Sequence, residues 1–109
     1  MRETRERIVP SGTPAAGLVR VTLPAALTEF TGGRSTVAVP GAPAPVSDIL
    51  AGLGAAHPGA RDRLITDRGC LRPHVNIFVD GENIRFLSGL DTPVPNGAEV
   101  VVLPAVSGG

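Results

Sequence analysis

A short stretch with helical periodicity, placed between strand-like segments, constrains the fold of this chain more than any other feature. Its apolar residues recur at spacings of three and four, at Val46, Ile49, Leu50 and Leu53. Such spacing places them on one face of a helix. Pro45 suits the first turn, and 57–59 (His-Pro-Gly) is a strong stop signal. One amphipathic helix must bury its apolar face against the strands. The predicted fold class is therefore α+β, with one main helix packed on a sheet.

The strand-like segments alternate apolar and polar residues with a period of two. We predict strands at 18–23, 35–39, 74–80, 84–86 and 99–103. Pro24 and Pro40 are expected to end the first two, because proline cannot donate to a sheet ladder. The residues at 80–83 (Asp-Gly-Glu-Asn) predict a hairpin turn between the third and fourth strands. Residues 60–73 are polar and are predicted to be irregular.

The last segment, 99–103, is apolar nearly throughout. Such a run is typical of a central strand that is buried on both faces. Placing it beside the first strand gives a mixed sheet of about four to five strands. Residues 1–17 combine charge with Pro and Gly and predict a flexible lead. Residues 18–103 are predicted to form one folded domain, and 104–109 a flexible tail.

The composition excludes several classes of function. All ten basic residues are Arg and the formal net charge is zero, so no basic patch indicates nucleic-acid binding. Without Lys the chain has no side-chain amine for a Schiff base and no P-loop. No segment is long and apolar enough to predict a membrane span. The single Cys70 cannot form an intrachain disulfide. A cytoplasmic location is expected.

No candidate active site or metal site stands out in the sequence. His57 and His74 lack partner ligands at metal-binding spacing, and His57 is expected to help end the helix. No nucleophile occurs with a base and an orienting residue, so the chain is not predicted to be an enzyme. Cys70 lies in a polar loop, as an incidental thiol or as a carrier of persulfide sulfur. Both interpretations stay open.

Two segments closely resemble sulfur carriers of the ThiS/MoaD family. Segment 72–85, RPHVNIFVDGENIR, is similar to the middle of these proteins, and 102–109, VLPAVSGG, is similar to their tail. Further short matches fit two loops of the family, at 23–24, 31–33, 90–93 and 96–97. The resemblance runs from about residue 18 to residue 109. The tail is most similar to that of CysO-type carriers, although Ser107 stands where they usually have Ala.

This resemblance implies a fold, a chemistry and a set of partners. The implied fold is the β-grasp of ubiquitin-like proteins. The implied chemistry is adenylation of the Gly109 carboxylate by an ATP-dependent adenylyltransferase/sulfurtransferase of the ubiquitin-activating type, followed by conversion to a thiocarboxylate. The receiving partner of a CysO-type carrier is a cysteine synthase that uses O-phosphoserine. The carrier itself would bind no cofactor, because the activating enzyme uses the ATP.

The tail residues suit such a reaction. Gly108 and Gly109 lack Cβ atoms and can thread a narrow channel. Pro104 is expected to stop the sheet ladder and free the tail, which spans about 20 Å when fully extended. We predict that the Gly109 carboxylate is the working group. Partners are predicted to contact the residues before it: Pro104, Ala105, Val106, Ser107 and Gly108.

A second contact surface is predicted on the sheet. Phe78 falls on the face opposite to Val75, Ile77 and Val79. We interpret Phe78 either as part of an exposed apolar patch that binds the activating enzyme or as a side chain packed under a loop. Arg85 and Arg72 would frame that patch.

Other functions fit the same residues. A carrier for molybdopterin or thiazole synthesis has a similar tail, because the receiving enzyme sets the pathway. A ubiquitin-like modifier, joined through Gly109 to lysines on target proteins, is a second alternative. A plain interaction domain with a frayed Gly-Gly terminus is a third.

Overall fold

The computed structural model describes residues 17–104. Its strands are β1 (Gly17–Thr22), β2 (Thr36–Ala42), β3 (Ala44–Pro45), β4 (Val75–Val79), β5 (Glu82–Asn83), β6 (Pro93–Val94) and β7 (Glu99–Pro104). Its α-helices are α1 (Val46–Ala56) and α2 (Pro58–Asp62), and 3₁₀ turns cover Ala25–Phe30, Ile84–Phe86 and Gly89–Asp91. Most of the predicted lead and tail, residues 1–16 and 105–109, lies outside the described residues.

Five of these strands form one mixed sheet in the order β2-β1-β7-β4-β5. β1 and β7 pair in parallel, with Val21 beside Val100, and the other neighbours in the sheet are antiparallel. β3 and β6 form a separate two-stranded ribbon. The predicted mixed sheet is confirmed, and so is the central position of the last strand beside the first.

The helix α1 buries the apolar stripe that the sequence predicts. Its members are each at most 1% exposed: Val46, Ile49, Leu50 and Leu53. Pro45 precedes the first turn in an extended conformation, and Asp48 lies within that turn, where the helix dipole favours negative charge. The helix ends at Ala56, because His57 adopts a φ of −139° and donates its N–H to the carbonyl oxygen of Leu53 at 2.8 Å. The expected role of His57 at the helix end is confirmed.

The core between helix and sheet is aliphatic. The sheet contributes alternate residues of its central strands, namely Val19, Val21, Val75, Ile77, Val79, Val100 and Val102. Burying a side chain of this size stabilises a fold by roughly 1.5–3 kcal/mol. Aromatic residues add little to the buried core, since Phe86 is 85% exposed and Phe30 and Phe78 are only partly buried. The buried core is therefore built mainly from aliphatic side chains of α1 and of one face of the sheet.

β2 and the segment after β5 differ from the prediction. β2 continues past Pro40 to Ala42. This strand is an edge of the sheet, where one side has no ladder to lose, so the missing N–H of proline is tolerated. The strand predicted at 84–86 is instead a 3₁₀ turn. Its start is fixed by Asn83, whose Oδ1 accepts a hydrogen bond from the N–H of Arg85 at 2.9 Å.

The segment predicted to be irregular, 60–73, is more ordered than its polarity indicates. It begins inside α2, which follows α1 directly after His57. Ala60, Leu64 and Ile65 are buried, and an isolated bridge pairs Ile65 with Leu71. Three apolar residues spread among charged ones are enough to fold this segment onto the core, and their spacing shows no clean period.

Candidate functional site

β7 carries the chain from the centre of the sheet towards the predicted tail. Its final described residue, Pro104, is exposed and pairs with Val75 of β4. The ladder expected to stop before Pro104 thus includes it, because the φ of proline is compatible with extended backbone and only its N–H is missing. The other predicted tail residues, Ala105, Val106, Ser107, Gly108 and Gly109, lie outside the described residues. Their roles stay predictions.

The sheet face that points away from α1 carries a group of residues that we call the open face. They follow from the strand register and are Thr22, Asn76, Phe78, Val101 and Leu103. The last strand was predicted to be buried on both faces, which is wrong for this side. Leu103 is 45% exposed and Val101 is only partly buried. The apolar run in β7 therefore serves the core with one face and leaves apolar surface on the other.

Phe78 lies in the middle of this open face. It pairs with Val101 of β7 on one side and with Asn83 of β5 on the other. Its side chain is partly buried, so both predicted interpretations, part of an exposed apolar patch and packing under a loop, stay open. A partly exposed aromatic ring beside valine and leucine is the kind of surface that can anchor a partner protein. Partner binding by Phe78 stays a prediction.

Arg85 was predicted to contact a partner, and the structure shows its guanidinium group bonded within the domain. Nη2 donates to the carbonyl oxygens of Arg72 at 3.0 Å, Pro73 at 3.2 Å and Val75 at 2.6 Å. Nε donates to Oδ1 of Asn76 at 3.4 Å. All four acceptors belong to the chain that leads into and begins β4. Arg85 therefore links the turn after β5 to the start of its neighbouring strand.

Arg72, the other arginine predicted to frame the patch, also donates to the backbone. Its Nε reaches the carbonyl oxygen of Asp62 at 2.9 Å, and its N–H donates to the carbonyl oxygen of Leu64 at 2.9 Å. These bonds hold the segment before β4 against the end of α2. Together Arg72 and Arg85 fasten the two sides of this segment, one to the helix and one to the sheet edge.

A small cavity lies beside the point where β7 ends. Its volume is about 200 Å³, and its lining includes Leu27, Leu64, Val102 and Pro104. Arg63 and His74 line it as well. The guanidinium of Arg63 also stacks over the ring of Phe30, with 4.9 Å between Cζ and the ring centroid. The chain thus leaves the sheet next to an apolar hollow that has the guanidinium of Arg63 in its lining.

Other candidate sites add no chemistry of their own. Cys70 is exposed and unpaired in a tight loop, where its N–H donates to Oγ1 of Thr66 at 3.2 Å. Both interpretations of this thiol stay open. Among residues 17–104, no group of three or more His, Cys, Asp or Glu side chains is placed to hold a metal ion. In the same part of the chain, no helix has the length and apolar character to cross a bilayer.

The sequence analysis missed two amides at the border of the open face. Asn83 Nδ2 donates to Oδ1 of Asn76 at 3.3 Å, so these side chains join the network of Arg85. Strand alternation places Asn76 on the same face as Phe78, and this signal was available. The sequence gives no such signal for the position of Asn83, because that position depends on where β5 ends. The open face is thus apolar towards β7 and lined by amides towards β5.

These features define a class of protein. A mixed five-stranded sheet with a parallel central pair, β1 and β7, and one main helix on its inner face is a β-grasp, or ubiquitin-like, fold. The sequence model of the ThiS family matches residues 21–109 of the chain. The chain belongs to this family, and the predicted family and fold are confirmed.

Known relatives agree in sequence and in structure. The sulfur carrier protein CysO of Mycobacterium tuberculosis is 37% identical over 93 residues, which cover 84% of this chain and 98% of the relative. Small archaeal modifier protein 3 of Haloferax volcanii is 41% identical over 66 residues, covering 61% of this chain and 71% of the relative. A chain of the Amycolatopsis orientalis BexX/CysO complex superposes with a TM-score of 0.75 and 35% identity, covering 84% of this chain and 99% of its own. This similarity supports a sulfur carrier of the CysO type.

Proposed function

We propose that this protein is a sulfur carrier whose Gly109 carboxylate is adenylated and then converted to a thiocarboxylate. The sulfur is donated for cysteine synthesis from O-phosphoserine. The observation that carries the proposal is the similarity to CysO along 98% of that protein's length, with the family match reaching Gly109. Alignment to the last residue supports a shared working end as well as a shared fold.

The proposed chemistry has two steps. The Gly109 carboxylate attacks the α-phosphorus of ATP and releases pyrophosphate, which leaves a mixed anhydride with AMP as the leaving group. A hydrosulfide ion then attacks the acyl carbon, the C–O bond to AMP breaks, and the thiocarboxylate forms with release of AMP and a proton. Both steps take place in the site of an activating enzyme. The part of the chain from 17 to 104 contributes the rigid domain that presents the end.

The domain supports this role through the position of β7. Because β7 is central and pairs with β1 and β4, its end is held in a fixed place relative to the open face. Leu103 on the open face is adjacent to Pro104, where the described chain stops. A partner that binds the open face would therefore find the following residues within a short reach, about 17 Å for five extended residues.

The proposed first partner is an activating enzyme that binds the open face. Phe78, Val101 and Leu103 offer apolar contact there, and an exposed apolar patch with a polar border is typical of a protein-binding site. One neighbour in the structural comparison comes from a BexX/CysO complex, so a CysO-containing assembly with a second protein has been seen. The proposed second partner is the cysteine synthase that accepts the sulfur.

An intact-mass experiment tests the proposal. The full chain is incubated with extract of its host, ATP and a sulfur source, and its mass is measured. We expect a rise equal to the exchange of one oxygen for one sulfur. Deletion of Gly109 should abolish the rise, and a matched truncation that removes residues 1–16 should not. No mass change in the full chain, with purified candidate activating enzymes tested as well, would refute the carrier proposal.

The receiving pathway is tested with the converted protein. Cysteine formed from O-phosphoserine by a synthase of the host would identify the proposed acceptor. Consumption of the thiocarboxylate only by enzymes of molybdopterin or thiazole synthesis would select those alternatives instead. The readout in each case is the return of the carrier to its original mass, measured together with the product.

A second candidate function is protein modification. It is favoured by the 41% identity to small archaeal modifier protein 3. In this case Gly109 would form isopeptide bonds with lysines of other proteins, and the same extract would yield covalent adducts of higher mass. The chain has no Lys, so these adducts could not include chains built on itself.

A further inference from the structure

Arg85 is the centre of a hydrogen-bond network that spans two strands. Its guanidinium donates to three backbone carbonyls of the segment that enters β4, those of Arg72, Pro73 and Val75. Nη2 carries two hydrogens for these three acceptors, at 3.0, 3.2 and 2.6 Å, so the bonds are shared. Because Nε donates to Asn76 at the same time, the acceptors lie around two nitrogens of one planar group, an arrangement that a single ammonium nitrogen cannot serve.

The network closes through two asparagines. Oδ1 of Asn76 accepts from Nε of Arg85 at 3.4 Å and from Nδ2 of Asn83 at 3.3 Å. Oδ1 of Asn83 accepts the backbone N–H of Arg85 at 2.9 Å. Each of the three residues thus holds the other two. The ring of contacts ties β5 and its 3₁₀ turn to the first residues of β4.

This network borders the open face at Phe78. Asn83 lies directly opposite Phe78 in the β4–β5 pair, and Asn76 lies two residues before it on the same face. β5 is only two residues long and pairs through Phe78 and Val79 alone. So short an edge strand gains much of its fixed position from the side-chain network. The position of Asn83 beside Phe78 and the orientation of the Asn76 amide therefore depend on Arg85.

We propose that Arg85 is a positioning residue for the docking of the activating enzyme: it orients the Asn76 and Asn83 amides that border Phe78 on the open face and does not act as a charge contact to the partner. This inference rests on the proposed function, in which the open face is the docking surface and Arg85 maintains its conformation. The complementary surface of the activating enzyme is then apolar and carries groups that form hydrogen bonds with the Asn76 and Asn83 amides. It needs no carboxylate opposite Arg85.

The test compares Arg85→Lys with Arg85→Gln in ATP–pyrophosphate exchange catalysed by the activating enzyme. Lysine keeps the positive charge, but its ammonium cannot reproduce the planar arrangement of donors. Both variants should raise the KM for the carrier, by a similar factor on the order of ten-fold, the size of change seen when a specific interface feature is lost. The kcat should stay near the wild-type value, because the tail and its chemistry are untouched. The side-chain amide NMR signals of Asn76 and Asn83 should shift in both variants.

A matched control separates positioning from general loss of stability. Val39→Ala creates a cavity in β2, at the edge of the sheet furthest from β5, and should leave the KM unchanged. All variants are assayed at a temperature where circular dichroism shows them folded. A wild-type KM for Arg85→Lys, with a raised KM for Arg85→Gln, would mean a charge contact and overturn the proposal. If neither Arg85 variant has a KM above that of Val39→Ala, Arg85 only stabilises the fold, and the proposal is refuted as well. Failure of the wild-type chain to be activated would instead refute the proposed function.

Discussion

Asp80 and Glu99 are joined by a reciprocal pair of hydrogen bonds. The N–H of Asp80 donates to the carbonyl oxygen of Glu99 at 2.9 Å, and the N–H of Glu99 donates to Oδ1 of Asp80 at 3.0 Å. Asp80 has a φ of +48° and is followed by Gly81 at +89°, so both residues that connect β4 to β5 are left-handed. The turn between β4 and β5 is thereby fastened to the first residue of β7. One carboxylate thus connects a local turn to the strand that carries the tail.

The first prediction concerns this carboxylate. Asp80→Ala should lower the free energy of unfolding by about 2 kcal/mol, because the N–H of Glu99 loses its acceptor and alanine is strained at positive φ. Asp80→Asn is the matched control, since asparagine keeps an oxygen acceptor and tolerates this backbone conformation. It should remain within about 0.5 kcal/mol of the wild-type protein. Urea denaturation measures both, and equal losses for the two variants would contradict the account.

The second prediction concerns Gly52, which faces β2 from α1. A Cβ atom there would lie 2.8 Å from Cγ1 of Val39. In an open helix Gly→Ala stabilises by about 1 kcal/mol, but overlap in a packed core costs about 1–3 kcal/mol. Gly52→Ala should therefore be destabilising. In a Val39→Ala background the overlap disappears, and the same substitution should become neutral or stabilising. A double-mutant cycle in urea measures this coupling, and additive effects would count against it.

The third prediction tests whether exposed Leu103 contributes to the docking of the activating enzyme. Leu103→Ser removes a side chain of the open face that is 45% exposed. It should raise the KM of the carrier in the activation assay by on the order of ten-fold, with a change in unfolding free energy below about 1 kcal/mol. Leu18→Ser is the control, because Leu18 is 57% exposed and precedes Arg20, which pairs with Glu99 at the opposite end of β7. Its KM should not change. A raised KM for Leu18→Ser alone would contradict this prediction and would indicate that the activating enzyme docks at the other end of the sheet.

The fourth prediction concerns Cys70. Because its side chain is exposed and unpaired, a thiol reagent should label the folded protein without denaturant. Cys70→Ser should leave the yield of thiocarboxylate at the wild-type level, as expected for an incidental thiol. If Cys70→Ser abolishes sulfur transfer while the protein stays folded and adenylation persists, the persulfide interpretation applies instead. Intact mass after incubation with ATP and a sulfur source gives the readout.

The sequence predicted most reliably where a local rule and a burial pattern agreed. Leu50 and Leu53 recur at helical spacing between Pro45 and the stop signal at 57–59, and the helix lies between them, at Val46–Ala56. Val75, Ile77 and Val79 alternate in β4, and the turn after them contains glycine at a position with positive φ. In each case the residues that determine the element lie within it. Such elements need no knowledge of the rest of the chain.

Prediction failed where the outcome depended on a distant neighbour. Pro40 was expected to end β2, and it does not, because β2 turned out to be an edge strand. Leu103 was expected to be buried, and it is exposed, because α1 covers only one face of the sheet at that strand. Arg85 was predicted to frame the contact patch, and its contact with a partner stays a prediction; its bonds to carbonyls ten to thirteen residues earlier in the chain were not foreseen. None of these partners can be identified from local spacing.

The amino-acid sequence by itself determined the α+β class, the helix, the order of the main strands, the family and the Gly-Gly end on which the proposed chemistry depends. These follow from hydrophobic periodicity, turn residues and motif similarity, all of which are properties of contiguous segments. The tertiary structure alone decided which apolar residues of β7 face outwards and where the donors of Arg85 are directed. It also joined Asp80 to Glu99. The physical reason is that burial and hydrogen bonding depend on distances between elements, and only the packed sheet brings those residues within reach of one another.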